Sequence, residues 1–318
     1  MVEARPQNSS SLPKRILQWV VVMAIFLFLG RIVWENWNQV QRENFAFHIP
    51  LLLLSTLIFV LSYLIQVWAW YLITLRLEIA IPFRDTVAGW FYSQLGKYLP
   101  GKVWLFLGRF YLYDSKGKSR KAITVALYLE AVTLIMAAGL VFLLSLLFLK
   151  EVKPFTLGIP LSGMILLFLL SLFFLHPKVL EKIFNTVLVR MKREPFYIPI
   201  SYLQILWILT VCVLSWVIGG VGFYVFVDSV WNISSEHILF LTGALAISST
   251  VGLLALFAPS GLGVREGVLV YLLSSIMPTP VAVILSVLTR LWMTFIEIGM
   301  IGVVYLIDKL HIKERGKG

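Results

Sequence analysis

Six stretches of about 20 residues or longer run through this sequence with almost no charge, at about 16–34, 50–75, 122–149, 156–176, 199–227 and 281–307. A helix needs roughly 20 apolar residues to cross a hydrocarbon core of about 30 Å, and inside that core each backbone amide must be satisfied within its own helix. Six such windows predict an all-α fold, a polytopic membrane helix bundle with six spans. Composition agrees, because a mean hydropathy of +0.90 with only 14% charged residues leaves more apolar surface than a soluble core can absorb. Trp19, Trp34, Trp37, Trp68, Trp70, Trp104, Trp207, Trp216, Trp231 and Trp292 include several near predicted span ends, as interfacial belts require, and add to the membrane reading.

The formal charge of +11 would suggest nucleic acid in a soluble domain. Here the basic residues sit mainly in short loops, and no zinc spacing or RNP-like motif accompanies them, so nucleic acid is not an expected partner. Assigning 1–15, 76–85, 113–121, 177–198 and 308–318 to one side gathers eighteen of the 27 Lys and Arg. The other side, at 35–49, 150–155 and 228–237, holds only Arg42, Lys150 and Lys153. The positive-inside rule then puts both termini in the cytoplasm. This divides the chain into an N-terminal tail at 1–15, a membrane domain at 16–307 and a basic tail at 308–318. The run that begins at Ile16 has no small-residue cleavage site, so it reads as an uncleaved first span rather than a secretory signal. Cys212 is the only cysteine, which excludes an intrachain disulfide. His48, His176, His237 and His311 are scattered, so neither a metal nor a cofactor is expected.

Two further apolar regions, 86–112 and 238–276, are broken in the middle. Pro100-Gly101 separates a leg of about 21 Å from one of about 16 Å, neither long enough to cross. Pro259-Ser260-Gly261-Leu262-Gly263 separates a longer leg from a short one. Both regions read as helical hairpins. By the charge assignment the first opens to the cytoplasm and the second to the outside, and paired broken segments of inverted orientation point to a binding site at the bilayer midplane.

The six remaining basic residues lie inside apolar segments. Arg31 is near a span end and can snorkel. Lys97, Lys102, Arg109, Arg265 and Arg290 lie deeper, where an ionisable group is costly unless it faces a cavity or a partner. Lys97, Lys102 and Arg109 flank the first break and Arg265 follows the second. Helix N-termini past the breaks would favour an anion, so one reading is a site for a phosphate or carboxylate headgroup. The other is that these bases pair with Glu130, Glu266 and Glu297 and hold helices together. Glu266 beside Arg265 could form part of a gate. Arg290 and Glu297 are seven residues apart, about two turns, and so share one helix face. They and Glu130 are candidates for coupling or ion pairing. Gly219, Gly220 and Gly222 read as close helix contacts. Gly96 to Lys102 matches the start of a P-loop, but Val103 stands where magnesium would need Ser or Thr, and no strand precedes it.

Gly96-Lys97-Tyr98-Leu99-Pro100-Gly101-Lys102-Val103-Trp104 with Gly108-Arg109, and Pro259-Ser260-Gly261-Leu262-Gly263-Val264-Arg265-Glu266-Gly267, resemble the lysylphosphatidylglycerol synthase transmembrane family, also called flippase-like. The order and spacing of both segments match, over about residues 15–307. In relatives this module precedes a soluble aminoacyl transferase domain and moves the lysylated lipid outward. The chain stops at Gly318, about ten residues past the last window, so a module without the transferase is expected. The resemblance implies that Lys97, Pro100, Gly101, Arg109, Gly261, Gly263, Arg265 and Glu266 line a cavity.

The function these readings predict is a lipid flippase of a prokaryotic plasma membrane. It would bind an anionic headgroup, phospho- or aminoacyl-phospho-, and catalyse no reaction. Two alternatives stand beside it: a membrane transferase acting on a lipid carrier, and a non-catalytic subunit of a lipid-modifying enzyme. The partners implied are a membrane lipid and either a second copy of the chain or a separate enzyme.

Overall fold

The computed structural model describes residues 45–98, 103–147, 161–190, 197–255 and 258–315, with scattered positions between 23 and 43 and at 192, 194 and 195. Ten helices of ten residues or more order these segments. They are α1 (Ile49–Arg76), α2 (Phe83–Gln94), α3 (Val103–Ser115), α4 (Arg120–Leu147), α5 (Leu161–Phe174), α6 (Pro177–Arg190), α7 (Tyr202–Val230), α8 (Ile238–Leu254), α9 (Val264–Leu273) and α10 (Thr279–Arg315). No strand occurs among the described residues.

Local chemistry sets the ends. Pro50 sits in the first turn of α1, where its missing N–H costs nothing. Glu78, at φ 57, takes the left-handed conformation that stops the same helix. Ser201 and Gln204 cap α7 reciprocally: the Ser201 hydroxyl accepts from the Gln204 amide at 3.3 Å, and the Gln204 side chain accepts from the Ser201 amide at 3.0 Å.

Among the described residues, five helices are long and apolar enough to cross a membrane: Ile49–Arg76, Arg120–Leu146, Tyr202–Val230, Ser235–Leu254 and Thr279–Leu310. Four of them are expected windows. The fifth, Ser235–Leu254, is the longer leg of the second hairpin, and its 20 residues reach about 30 Å before Pro259 intervenes. The window at 156–176 appears as the 14-residue α5, about 21 Å long, preceded by residues outside the described set. Most of the window at 16–34 lies outside it too. Of the six expected spans, four are thus among the five long helices of the described residues.

At the centre, α1 packs along α7, and α8 packs against α4 and α7. Small residues let these backbones approach. Ser55 and Ser62 of α1 donate to the carbonyls of Gly222 and Ser215 at 2.9 Å each. A Cβ on Gly219 would lie 3.0 Å from the Ser62 hydroxyl, one on Gly222 3.1 Å from Ile58, and one on Gly220 2.3 Å from Thr242 of α8. Leu57, Leu203, Trp207 and Leu291 point outward, as suits a bundle that faces hydrocarbon.

Contacts at the ends of the bundle give the direction of each broken region. The amides of Ala46 and His48, before α1, donate to the carbonyls of Val230 and Ser229 at the end of α7. Arg84, at the base of the first hairpin, pairs with Asp308 near the end of α10 at 2.9 Å. On that same end Lys121 donates to the Glu194 carbonyl. The α2–α3 hairpin thus enters from the end that holds Arg84 and Lys121. The α8–α9 pair starts just after Val230, at the opposite end, so the two run in opposite senses.

Candidate functional site

Both breaks fall where Pro and Gly predict them, each marked by a 3-10 turn, Leu95–Tyr98 in the first and Pro259–Gly261 in the second. The two turns touch each other inside the bundle. One glycine makes each close approach possible. A Cβ on Gly96 would lie 2.4 Å from the Trp104 backbone, so only glycine lets the first hairpin's legs close up. Gly261 sits at φ +68, and a Cβ there would lie 2.5 Å from the Gly252 carbonyl oxygen of α8. Beside it Ser260 adopts φ 52, a left-handed conformation unusual for a residue with a Cβ. Arg290 of α10 holds it there, donating to the Ser260 carbonyl at 3.1 Å and to its hydroxyl at 2.5 Å.

A cavity of about 190 Å³ opens where the breaks meet. Tyr63 on α1, Glu130 and Leu134 on α4, and Trp216 on α7 all line it, and each lies near the midpoint of its long helix. The cavity is therefore halfway through the bundle. Leu105, Phe106, Leu134, Ile135 and Leu253 form an apolar wall. Lys97, Arg109, Glu130, Arg265, Arg290 and Glu297 bring charge to it, with Gln66, Gln94, Ser249 and Thr250 between them.

Most of that charge is paired. Arg109, almost wholly buried, bonds Glu130 at 2.5 Å, and its guanidinium carbon lies 4.5 Å from the centre of the Trp70 ring. Trp90 donates to the same Glu130 oxygen at 3.1 Å. Lys97 at the first tip pairs with Glu297 of α10, which also accepts from Tyr63 at 3.0 Å and Tyr98 at 2.9 Å. Glu266 turns back to accept from the Gly263 amide at 2.7 Å, capping α9, and its other oxygen lies 3.8 Å from Arg290. Glu266 thus ties back to its own N-cap and faces Arg290 of α10.

Arg265 stands apart. It is buried, it lines the cavity, and among the described residues no carboxylate oxygen lies within ion-pair distance of it. Its contact is the Met293 sulfur at 2.8 Å, a weak acceptor. A guanidinium in low dielectric with no carboxylate in direct contact attracts an anion.

The structure brings Lys97, Arg109, Arg265, Glu130, Arg290 and Glu297 to one wall, and puts Gly261, Gly263 and Glu266 just behind it in the second tip. Pro100, Gly101 and Lys102 lie outside the described residues. Sequence reasoning missed Tyr63, Gln66, Trp90, Gln94, Ser260 and Met293 as wall residues. Ser62 and Gln66, one helical turn apart in an otherwise apolar run, carried a readable signal. Trp70, taken for an interfacial anchor, is fully buried against Arg109 and donates to the Tyr113 hydroxyl at 3.0 Å. Trp216 likewise lies at mid-bundle.

No curated protein matches the chain. The family described as the lysylphosphatidylglycerol synthase TM region matches residues 16–299, a range that takes in both hairpins, the cavity and the Arg290–Glu297 face of α10. The chain belongs to this family, and it is a membrane protein related to lipid handling.

Proposed function

We propose that the protein carries an anionic phospholipid between leaflets, with the headgroup seated at Arg265 in the mid-bundle cavity and the acyl chains left against lipid. One observation carries this reading: a buried guanidinium lines the cavity and, among the described residues, donates to a thioether rather than to a carboxylate. The apolar wall from Leu105 to Leu253 suits the chain-proximal end of a lipid, and the inverted hairpins match the arrangement from which alternating access is built. A reading without a covalent step is supported by the pairing of Glu130, Glu266 and Glu297, carboxylates that could serve as general acid or base, each with a cation. We further assign the end that carries Arg84 and Lys121 to the cytoplasm, because the loops gathered there hold most of the basic residues.

The test is Arg265→Gln in reconstituted vesicles. Movement of acyl-labelled phosphatidylglycerol should fall about tenfold or more, the loss of one charge-assisted contact, while the melting temperature of the same preparation stays near that of the parent. Unchanged lipid movement in a stable variant would sink the assignment. Uptake of soluble glycerol phosphate in place of lipid movement would reassign the cavity to a water-soluble ester.

A further inference from the structure

Three uncharged polar side chains in the cavity wall, Gln66 of α1, Gln94 of α2 and Thr250 of α8, make no hydrogen bond to any described residue. Their neighbours on the same helices are satisfied. Thr242 and Ser248 of α8 donate back to the carbonyls of Ile238 and Leu245, and Ser55 and Ser62 of α1 donate across to α7. Gln66 follows Ser62 and Tyr63 on the helix face that lines the cavity, and Gln94 follows Trp90 by one turn on the same wall. Thr250 is buried. All three sit close to the candidate anion site. Gln94 runs directly into the first tip, which touches the second, and Thr250 lies two residues before Gly252, where a Cβ would come within 2.8 Å of the Arg265 Cβ.

We infer that Gln66, Gln94 and Thr250 form a hydroxyl-reading subsite beside Arg265, so that the protein prefers a headgroup in which the phosphate carries a polyol, either glycerol or a larger ring. The inference rests on the lipid-carrying reading above and adds to it the part of the headgroup that is recognised without charge. A carboxamide offers N–H donors and a carbonyl acceptor, and a threonine hydroxyl both gives and takes. A headgroup hydroxyl does the same, so each of the three can meet one in either direction. A plain alkyl substituent meets none of them, and polar groups at membrane depth are costly to leave facing hydrocarbon. A site built to bond a hydroxyl rejects the analogue that lacks it far more strongly than an apolar pocket rejects a missing methylene. The Leu105, Phe106, Leu134 and Ile135 part of the wall offers no polar side chain, which leaves the reading of hydroxyls to these three positions and sets the headgroup's orientation.

Full-length protein in vesicles is given, in separate preparations, acyl-labelled phosphatidylglycerol, phosphatidylinositol or phosphatidylpropanol, and the transbilayer rate of each is measured. Phosphatidylpropanol is the control, a phosphodiester anion with the carbon skeleton of the glycerol headgroup and neither of its hydroxyls. At least one of the two hydroxylated lipids should move about tenfold faster than it, and which of them leads tells glycerol from a ring. If neither outruns phosphatidylpropanol, the three side chains are merely hydrated, and the inference falls while lipid movement stands. No movement of any lipid would take down the proposed function, and the inference with it. This panel needs no variant, so it cannot be lost to misfolding. A second arm combines Gln66→Leu with Gln94→Leu, which keeps the bulk of both side chains and strands no partner among the described residues. The advantage of the favoured lipid over phosphatidylpropanol should largely vanish. A double variant that melts with the parent and keeps the full advantage would show that these amides do not read the headgroup, and would overturn the inference.

Discussion

Arg109 and Arg265 share a side chain, a buried setting and one cavity wall, yet the structure gives them opposite tasks. Arg109 is locked between the Glu130 carboxylate and the Trp70 ring, so its removal strands a buried acid. Breaking one side of a buried pair costs about 3–5 kcal/mol. Arg109→Gln should accordingly lower the melting temperature and yield of the purified protein, and adding Glu130→Gln should recover part of the loss in a double-mutant cycle. Full stability of the single variant would mean that Glu130 is satisfied without Arg109. Sequence treats the two arginines alike because each follows a helix break. What separates them is tertiary: Glu130 reaches Arg109 from the next helix, and Tyr63 reaches Glu297 across 234 positions of chain. Such pairings leave no local trace. The pairing reading describes Arg109, Lys97 and Arg290, and the headgroup proposal rests on Arg265, which has no carboxylate in contact among the described residues.

At the scale of elements, the cavity depends on two backbone approaches that no side chain would permit. Gly261 combines a positive φ with a contact on the α8 backbone, and Gly252 behind it leaves room for the Arg265 side chain. Gly261→Ala should cost roughly 2–5 kcal/mol through backbone strain and overpacking together, read as a fall in thermal stability. A variant that melts with the parent would mean that the second tip relaxes freely. Breaks of this kind were legible beforehand because Pro and Gly act on their own residues and immediate neighbours. The longer leg of the second hairpin was legible as well. Gly243 and Gly252 sit inside α8 without ending it, because they meet Ser145 and Arg265 as packing contacts, and the helix runs long enough to span. Helix-breaking tendency is overridden wherever a neighbouring element fills the space a side chain would have used.

For the whole molecule, the opposite entry of the two hairpins follows from contacts at both ends, Ala46 and His48 with the end of α7, and Arg84 with Asp308. The assigned orientation puts the loop between α7 and α8 outside. Asn232→Cys should therefore react with a membrane-impermeant maleimide on intact cells, and labelling only after permeabilisation would reverse the orientation. The bundle's connectivity was readable from hydropathy and charge, since each helix had to return its chain to a definite side. Its mid-bundle assembly was not, because α10 supplies it through residues far from both breaks. Glu297 holds the first tip through Lys97, and Arg290, about 10 Å along the same helix face, holds the second through Ser260. A single stiff rod is thus pinned to both tips. On the proposed lipid-carrying reading, any tilt or roll that unseats one pin must shift the other, so the two faces of the membrane would be mechanically interlocked, with no separate latch required to keep a continuous pore from opening.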